Sequence, residues 1–182
     1  MHMAAPVYYT AAMARALPDD GNRYEVVHGE LLVTPAPRLL HQELIRRLLV
    51  ALSGYLDDQP VGHVLPAPAD ISWGPDTLLQ PDVFVVPPGQ ARTLDWARIT
   101  DLLLVAEVLS PSSARADRFT KRIEYQRKGV PVYWIVDADQ RQVEVWAPGD
   151  TAPRFERQRL VWHPHGAVQP FTLELDALFR PI

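Results

Sequence analysis

The run LLLVAEVLS, residues 102–110, constrains this chain more than any other stretch. Apolar residues occupy both parities of the run, so it reads as a strand covered on both faces. Such a strand needs layers of structure above and below it. Glu107 interrupts it. An ionised carboxylate buried there without a partner is heavily penalised, so the fold must bring it a proton, a basic group or a metal ion.

A second acid stands in a comparable place. In LLQPDVFVV, residues 78–86, Asp82 follows Pro81 and opens another apolar strand. Proline cannot donate to a ladder, so that strand starts at an irregular point. Acids at matching positions of two core strands can lie side by side. Two close carboxylates repel unless one is protonated or a cation sits between them. Hard divalent ions such as Mg²⁺ and Mn²⁺ prefer oxygen ligands, and one or two carboxylates often suffice for Mg²⁺. The plainer alternative is that each acid accepts backbone hydrogen bonds or pairs with a basic side chain.

SPSSARADRFTKRIEYQRKGV, residues 110–130, follows directly. Pro111 ends the strand, Ser112 or Ser113 can cap a helix, and Gly129 can close it. Ala116, Phe119 and Ile123 form a narrow apolar stripe. Asp117, Lys121, Tyr125 and Lys128 share another face. Between Arg115 and Lys128 stand six basic residues, Arg115 and Arg118 among them, and two acids, in a chain of net charge −4. A basic helix beside paired carboxylates suits a polyanionic ligand such as nucleic acid. An ordinary solvated face with an Asp117–Lys121 pair is the other reading.

The remaining pattern fills in the fold. A weak helix is expected over 7–18, a hairpin over RYEVVHGELLVTP with its turn at His28-Gly29, and a helix over 38–58 with Leu40, Leu44, Leu48 and Leu52 in register. Strands are expected near 63–66, 69–73 and 79–87. VPVYWIVDA and QVEVWAP pair across Asp139-Gln140, two more strands lie near 155–162 and 167–173, and LDALF ends in a helical turn. The sum is one α/β (α+β mixed) domain over 1–182, with a mixed sheet and a helix on either side.

Composition excludes several chemistries. There is no Cys, hence no disulfide, thiolate metal site or Cys nucleophile. No run of 18 apolar residues predicts a membrane span, and the N-terminal residues lack a signal-peptide pattern, so a cytoplasmic protein is expected. No phosphate loop, dinucleotide fingerprint or Ser-His-Asp pattern points to a nucleotide cofactor or a serine nucleophile. His163-Pro-His165 has metal-ligand spacing but no nearby acid. His41 reads as a capping or core polar residue.

YEVVHGELL, HQELIRRLL, LQPDVFVV and LLVAEVLSPSSARADRFTKRIEYQRKGVPVYWIVD together resemble the Uma2 family of the PD-(D/E)XK restriction-endonuclease-like superfamily, over residues 24–146. The resemblance implies a restriction-endonuclease-like core: a mixed sheet flanked by helices, here with an N-terminal hairpin and extra C-terminal strands. It implies a Mg²⁺-dependent endonuclease acting on DNA, with Mn²⁺ as a substitute. Asp82 and Glu107 would be the metal-binding acids. The superfamily pattern expects Lys two residues after the second acid, where this chain has Leu109; the resemblance moves that role to Lys121. Glu30 would be a further acid, Asp117 and Tyr125 supports for Lys121, and Arg115 and Arg118 contacts to nucleic acid. A homodimer is the expected assembly by analogy with small nucleases. The alternative is an inactive module of the same fold that binds nucleic acid or a protein partner.

Overall fold

In the computed structural model, which describes residues 7–182, apolar parity sets the layers. The chain forms β1 (Arg23–Val27), β2 (Glu30–Thr34), β3 (His63–Pro66), β4 (Ile71–Gly74), β5 (Thr77–Leu79), β6 (Val83–Val86), β7 (Leu104–Val108), β8 (Tyr133–Asp137), β9 (Gln142–Trp146), β10 (Arg154–Glu156), β11 (Arg159–Trp162) and β12 (Phe171–Glu174). The helices are α1 (Ala11–Arg15), α2 (Leu39–Asp58), α3 (Pro88–Ala91), α4 (Arg122–Arg127) and α5 (Leu175–Leu178); a π-helical turn, Ala116–Lys121, runs into α4.

Six strands make the central sheet, in the order β10-β9-β8-β7-β6-β3. Only the pair β7–β8 is parallel. That pair is joined by a crossover through the π-turn and α4, as a parallel connection requires. Val83 and Val85 pack on one face with Leu44, Leu48 and Leu52 of α2 and with Trp162 and Phe171 of the β11–β12 ribbon. Phe84 and Val86 pack on the other with Ile71, Leu79 and Tyr125. Both faces are therefore dry, which explains the near-continuous apolar sequence of β6, β7 and β8.

The expected single sheet is three sheets. The hairpin β1–β2 pairs with β5, not with the central strands, and gives a second antiparallel sheet, β2-β1-β5-β4. The central sheet buries both faces and needs a cover, and this second sheet supplies it beside α4. The run near 155–162 also divides, into β10 on the central sheet and β11 in a separate ribbon with β12. The expected hairpin turn holds: His28 and Gly29 have φ of 49° and 82°, as a two-residue turn of this hand requires. A Cβ at Gly29 would lie 2.2 Å from the Tyr8 ring, so a side chain has no room there.

Candidate functional site

Strand register brings the two acids together. β6 and β7 pair antiparallel with Val83 opposite Ala106. One step further, Asp82 faces Glu107. The contact is made through backbone as well as side chains. The Asp82 N–H donates to Glu107 Oε2 at 3.3 Å, and the Val108 N–H donates to Asp82 Oδ2 at 2.9 Å. Pro81 is what frees this end of β6 from regular pairing and lets Asp82 turn into the site.

Glu107 is sealed inside. Lys121 Nζ donates to its Oε1 at 3.2 Å, and so does Tyr125 Oη at 3.2 Å. The same ammonium lies 2.7 Å from Glu25 Oε2 and 3.3 Å from Asp117 Oδ1. Those two oxygens are buried and make no aligned hydrogen bond, so charge alone holds them to Lys121. The π-helical turn widens the helix where Asp117 and Lys121 sit, and such turns recur at functional sites.

Asp82 stands at the boundary with a cleft of about 990 Å³, lined also by Arg23, Arg38, His41, Gln80 and Ser110. Its Oδ1 accepts from Arg23 Nη1 at 2.6 Å, and its Oδ2 lies 3.1 Å from His41 Nε2. Arg23 Nη1 also donates to the Gln80 carbonyl at 3.1 Å. Glu25 Oε1 accepts the Gln80 N–H at 2.8 Å, tying β1 to the approach of β6.

These contacts split the acids electrostatically. Burial would push the Asp82 carboxyl up, but the hydrogen bond from His41 and the charges of Arg23, His41 and Lys121 outweigh it and hold it well below the usual range. Burial pushes the Glu107 carboxyl well above its range; Lys121 opposes this, and Asp82, Asp117 and Glu25 add to it. Asp117 is likewise raised, by burial first. Burial works against the Lys121 ammonium, yet Glu107, Glu25 and Asp117 win and raise its pKa. Paired acids pushed in opposite directions are a hallmark of acid–base and metal sites.

Of the residues singled out in the sequence, the structure gathers Asp82, Glu107, Lys121, Asp117 and Tyr125. It does not gather Glu30, which is exposed on β2 opposite Val27. Glu25, on the neighbouring strand, takes the place expected of it. Leu109 packs against the apolar layer, and the ammonium that reaches Glu107 comes from the helix, from Lys121. Arg118 is committed to Glu144 and Asp137, at 2.6 and 3.0 Å. Arg115 is exposed. The basic helix is thus largely spoken for, since Arg127 pairs with Glu124 and Arg122 lies 4.4 Å over the Trp146 ring. His163 bonds the Ala167 carbonyl, away from any acid. Glu25, Arg23 and His41 were missed. Glu25 carried the same signal as Glu107, an acid inside an apolar run (YEVV). Arg23 and His41 carried none, because an Arg at a strand end and a His in a first helical turn are ordinary.

Among the described residues no three His, Asp or Glu side chains converge as a ready-made metal site. The carboxylates converge on Lys121 and Arg23 instead. The donor chemistry nevertheless suits Mg²⁺. Glu25, Asp82, Glu107 and Asp117 are all buried, they offer only hard oxygens, and among the described residues only two permanent cations face them. That surplus of negative charge is met either by protons on the raised acids or by a cation at the edge where Asp82 meets the cleft.

A family model, Uma2, described as "Putative restriction endonuclease", matches residues 11–176. No curated protein matches the chain. Among solved structures, a "putative nuclease belonging to DUF820" from Anabaena variabilis ATCC 29413 superposes with a TM-score of 0.78 at 19% identity, over 94% of this chain and 97% of that one. That likeness shows a shared fold.

Proposed function

The chain belongs to the Uma2 family, and from that premise we propose that it is a Mg²⁺-dependent endonuclease that hydrolyses phosphodiester bonds in DNA. One observation carries the reading: two acids, Asp82 at the wall of a cleft and Glu107 buried behind it, face each other across adjacent core strands with opposite pKa shifts.

Hydrolysis adds a water oxygen to phosphorus and breaks one P–O bond to sugar, and the departing oxygen takes up a proton. The chemistry supplied by bound Mg²⁺, or Mn²⁺ in its place, is neutralisation of the phosphate charge and acidification of the attacking water. Asp82 and Glu107 would hold the ion. His41 fixes the Asp82 carboxylate from the cleft side, and the Val108 N–H fixes it from the strand. Lys121 is enclosed by three carboxylates, so its work is to orient Glu107 and not to meet the phosphate. It is a positioning residue, and Tyr125 and Asp117 complete its frame. Arg38, at the start of α2, lines the cleft and would meet a nucleic-acid backbone, as would exposed Arg115. A homodimer would offer one such site to each strand of a duplex. Among the described residues no helix is long and apolar enough to cross a membrane.

A second reading, an inactive module of this fold that binds nucleic acid, draws on the occupation of Asp82 by Arg23. Mn²⁺ titration by calorimetry on wild type and Asp82→Asn, together with plasmid nicking in Mg²⁺, separates the two. The nuclease reading expects wild-type binding and nicking, both lost in a folded Asp82→Asn. Metal binding unchanged by that substitution, with no nicking by wild type, would overturn it.

A further inference from the structure

The two permanent cations of the acid cluster differ in one respect. Lys121 has 1% of its side chain exposed and three carboxylates around it. Arg23 has 18% exposed and lines the cleft. Each oxygen of Asp82 is also held differently. Oδ2 is fixed by the Val108 N–H at 2.9 Å and by His41. Oδ1 has Arg23 Nη1 at 2.6 Å, and any cation that reaches Asp82 from the cleft has to contend with that contact. The rest of the guanidinium is poorly satisfied. Its Nε is buried without a hydrogen bond and lies 3.9 Å from Glu25 Oε2.

We propose that Arg23 is a resident cation of the Asp82 site: a divalent ion displaces it, and the freed guanidinium then pairs with a phosphate of the nucleic acid in the cleft. This rests on the nuclease reading above and adds to it the identity of the competing group. Before loading, Arg23 places a permanent positive charge on a buried carboxylate whose other partners are His41 and the Val108 N–H. On loading, the new cation takes over that neutralisation. The guanidinium is tethered at the cleft wall, and its planar fork matches a phosphate in two hydrogen bonds. Release would also end the burial of Nε without a hydrogen bond. Lys121 cannot play this part, because three acids enclose it and it does not line the cleft.

The test is Mn²⁺ calorimetry on wild type, Arg23→Gln and Arg23→Lys, each checked for folding by circular dichroism. Binding of a fluorescent DNA duplex is then measured in saturating Ca²⁺, which avoids dependence on turnover. Gln removes the charge and ends two bonds short of the atom that holds Asp82. Arg23→Gln is expected to bind Mn²⁺ about tenfold more tightly and the duplex about tenfold more weakly, the size expected for one desolvated charge contact. Arg23→Lys should fall between. Equal or weaker Mn²⁺ binding in a folded Arg23→Gln, while wild type binds and Asp82→Asn does not, overturns the displacement and leaves the nuclease reading standing. Binding in Arg23→Gln with none in wild type supports Arg23 as the competitor and counts against a metal-loaded wild type. No binding in any variant overturns both. Tighter Mn²⁺ binding with unchanged duplex binding overturns the phosphate contact.

Discussion

Asp117, Lys121 and Tyr125 lie on one side of the helical segment from Ala116 to Arg127 and are buried, whereas Phe119 and Ile123 on its other side are 58% and 55% exposed. By hydropathy the two faces are reversed. The inner face is charged because it completes the acid cluster of β6 and β7, and the outer face carries apolar side chains that are exposed among the described residues. The difference shows that this helix is positioned by electrostatics. Lys121 brings one positive charge to three carboxylates that have none nearer, and without it those carboxylates would lie buried and unpaired.

Removing that charge should have the largest effect. Lys121→Ala and Lys121→Met leave Glu25, Glu107 and Asp117 buried without their cation, which costs about 3–5 kcal/mol by the usual penalty for breaking a buried pair. Met keeps the volume, so a similar loss in both variants assigns the effect to charge. Urea unfolding at neutral pH measures it. The loss should shrink as pH falls and Glu107 and Asp117, both raised by burial, take up protons. A Lys121→Met protein within about 1 kcal/mol of wild type would break the comparison, because hydropathy would then explain the helix after all.

A neutral change on the same face should do far less. Burial holds the Asp117 carboxyl above its ordinary value of 3.8, with Lys121 opposing the rise. The folded chain therefore binds this proton more tightly than the unfolded chain. Wild-type stability from this group falls as pH rises from the unfolded value of 3.8 through the higher folded one, and is not recovered above it. Asp117→Asn resembles the protonated acid and should remove that decline. The expected difference is within about 1 kcal/mol at acid pH, moving in favour of the variant toward neutrality. Thermal melts across pH would show it. A loss at neutral pH as large as that of Lys121→Met would mean that Lys121 depends on the Asp117 charge.

The same helix marks where sequence reading stops. Strands β6, β7 and β8 were legible because both of their faces are apolar, and α2 because Leu44, Leu48 and Leu52 repeat at helical spacing and all reach the core. The hairpin turn at His28-Gly29 was legible from its chemistry. The Asp82–Glu107 pair was legible as an anomaly, an acid in each of two apolar strands, though only the register of β6 on β7 makes them face each other. Ala116, Phe119 and Ile123 read as a core stripe because periodicity assumes that apolar faces turn inward, and here a buried ion cluster claims the inner face. The resemblance pointed to Glu30, and Glu25 went unnoticed because a hairpin strand has two faces and one sequence does not say which of them a second sheet will bury. Arg23 becomes visible only when β1, β5 and β6 come together.

The outer face supplies the smallest effect and the sharpest control. Phe119→Ser and Ile123→Ser alter apolar side chains that already meet solvent, so each should shift stability by no more than about 0.5 kcal/mol. Neither should change Mn²⁺ binding, because neither touches the acid cluster. Ser has a lower helix preference than the best formers but is close to Phe and Ile, so propensity adds little. Together with Lys121→Met the pair inverts the usual rule for a helix, in which loss of the apolar face is ruinous and loss of a charge is mild. A loss above about 2 kcal/mol from Phe119→Ser would mean that this face is covered in solution. Sedimentation of wild type and Phe119→Ser would then show whether the cover is a second copy of the chain.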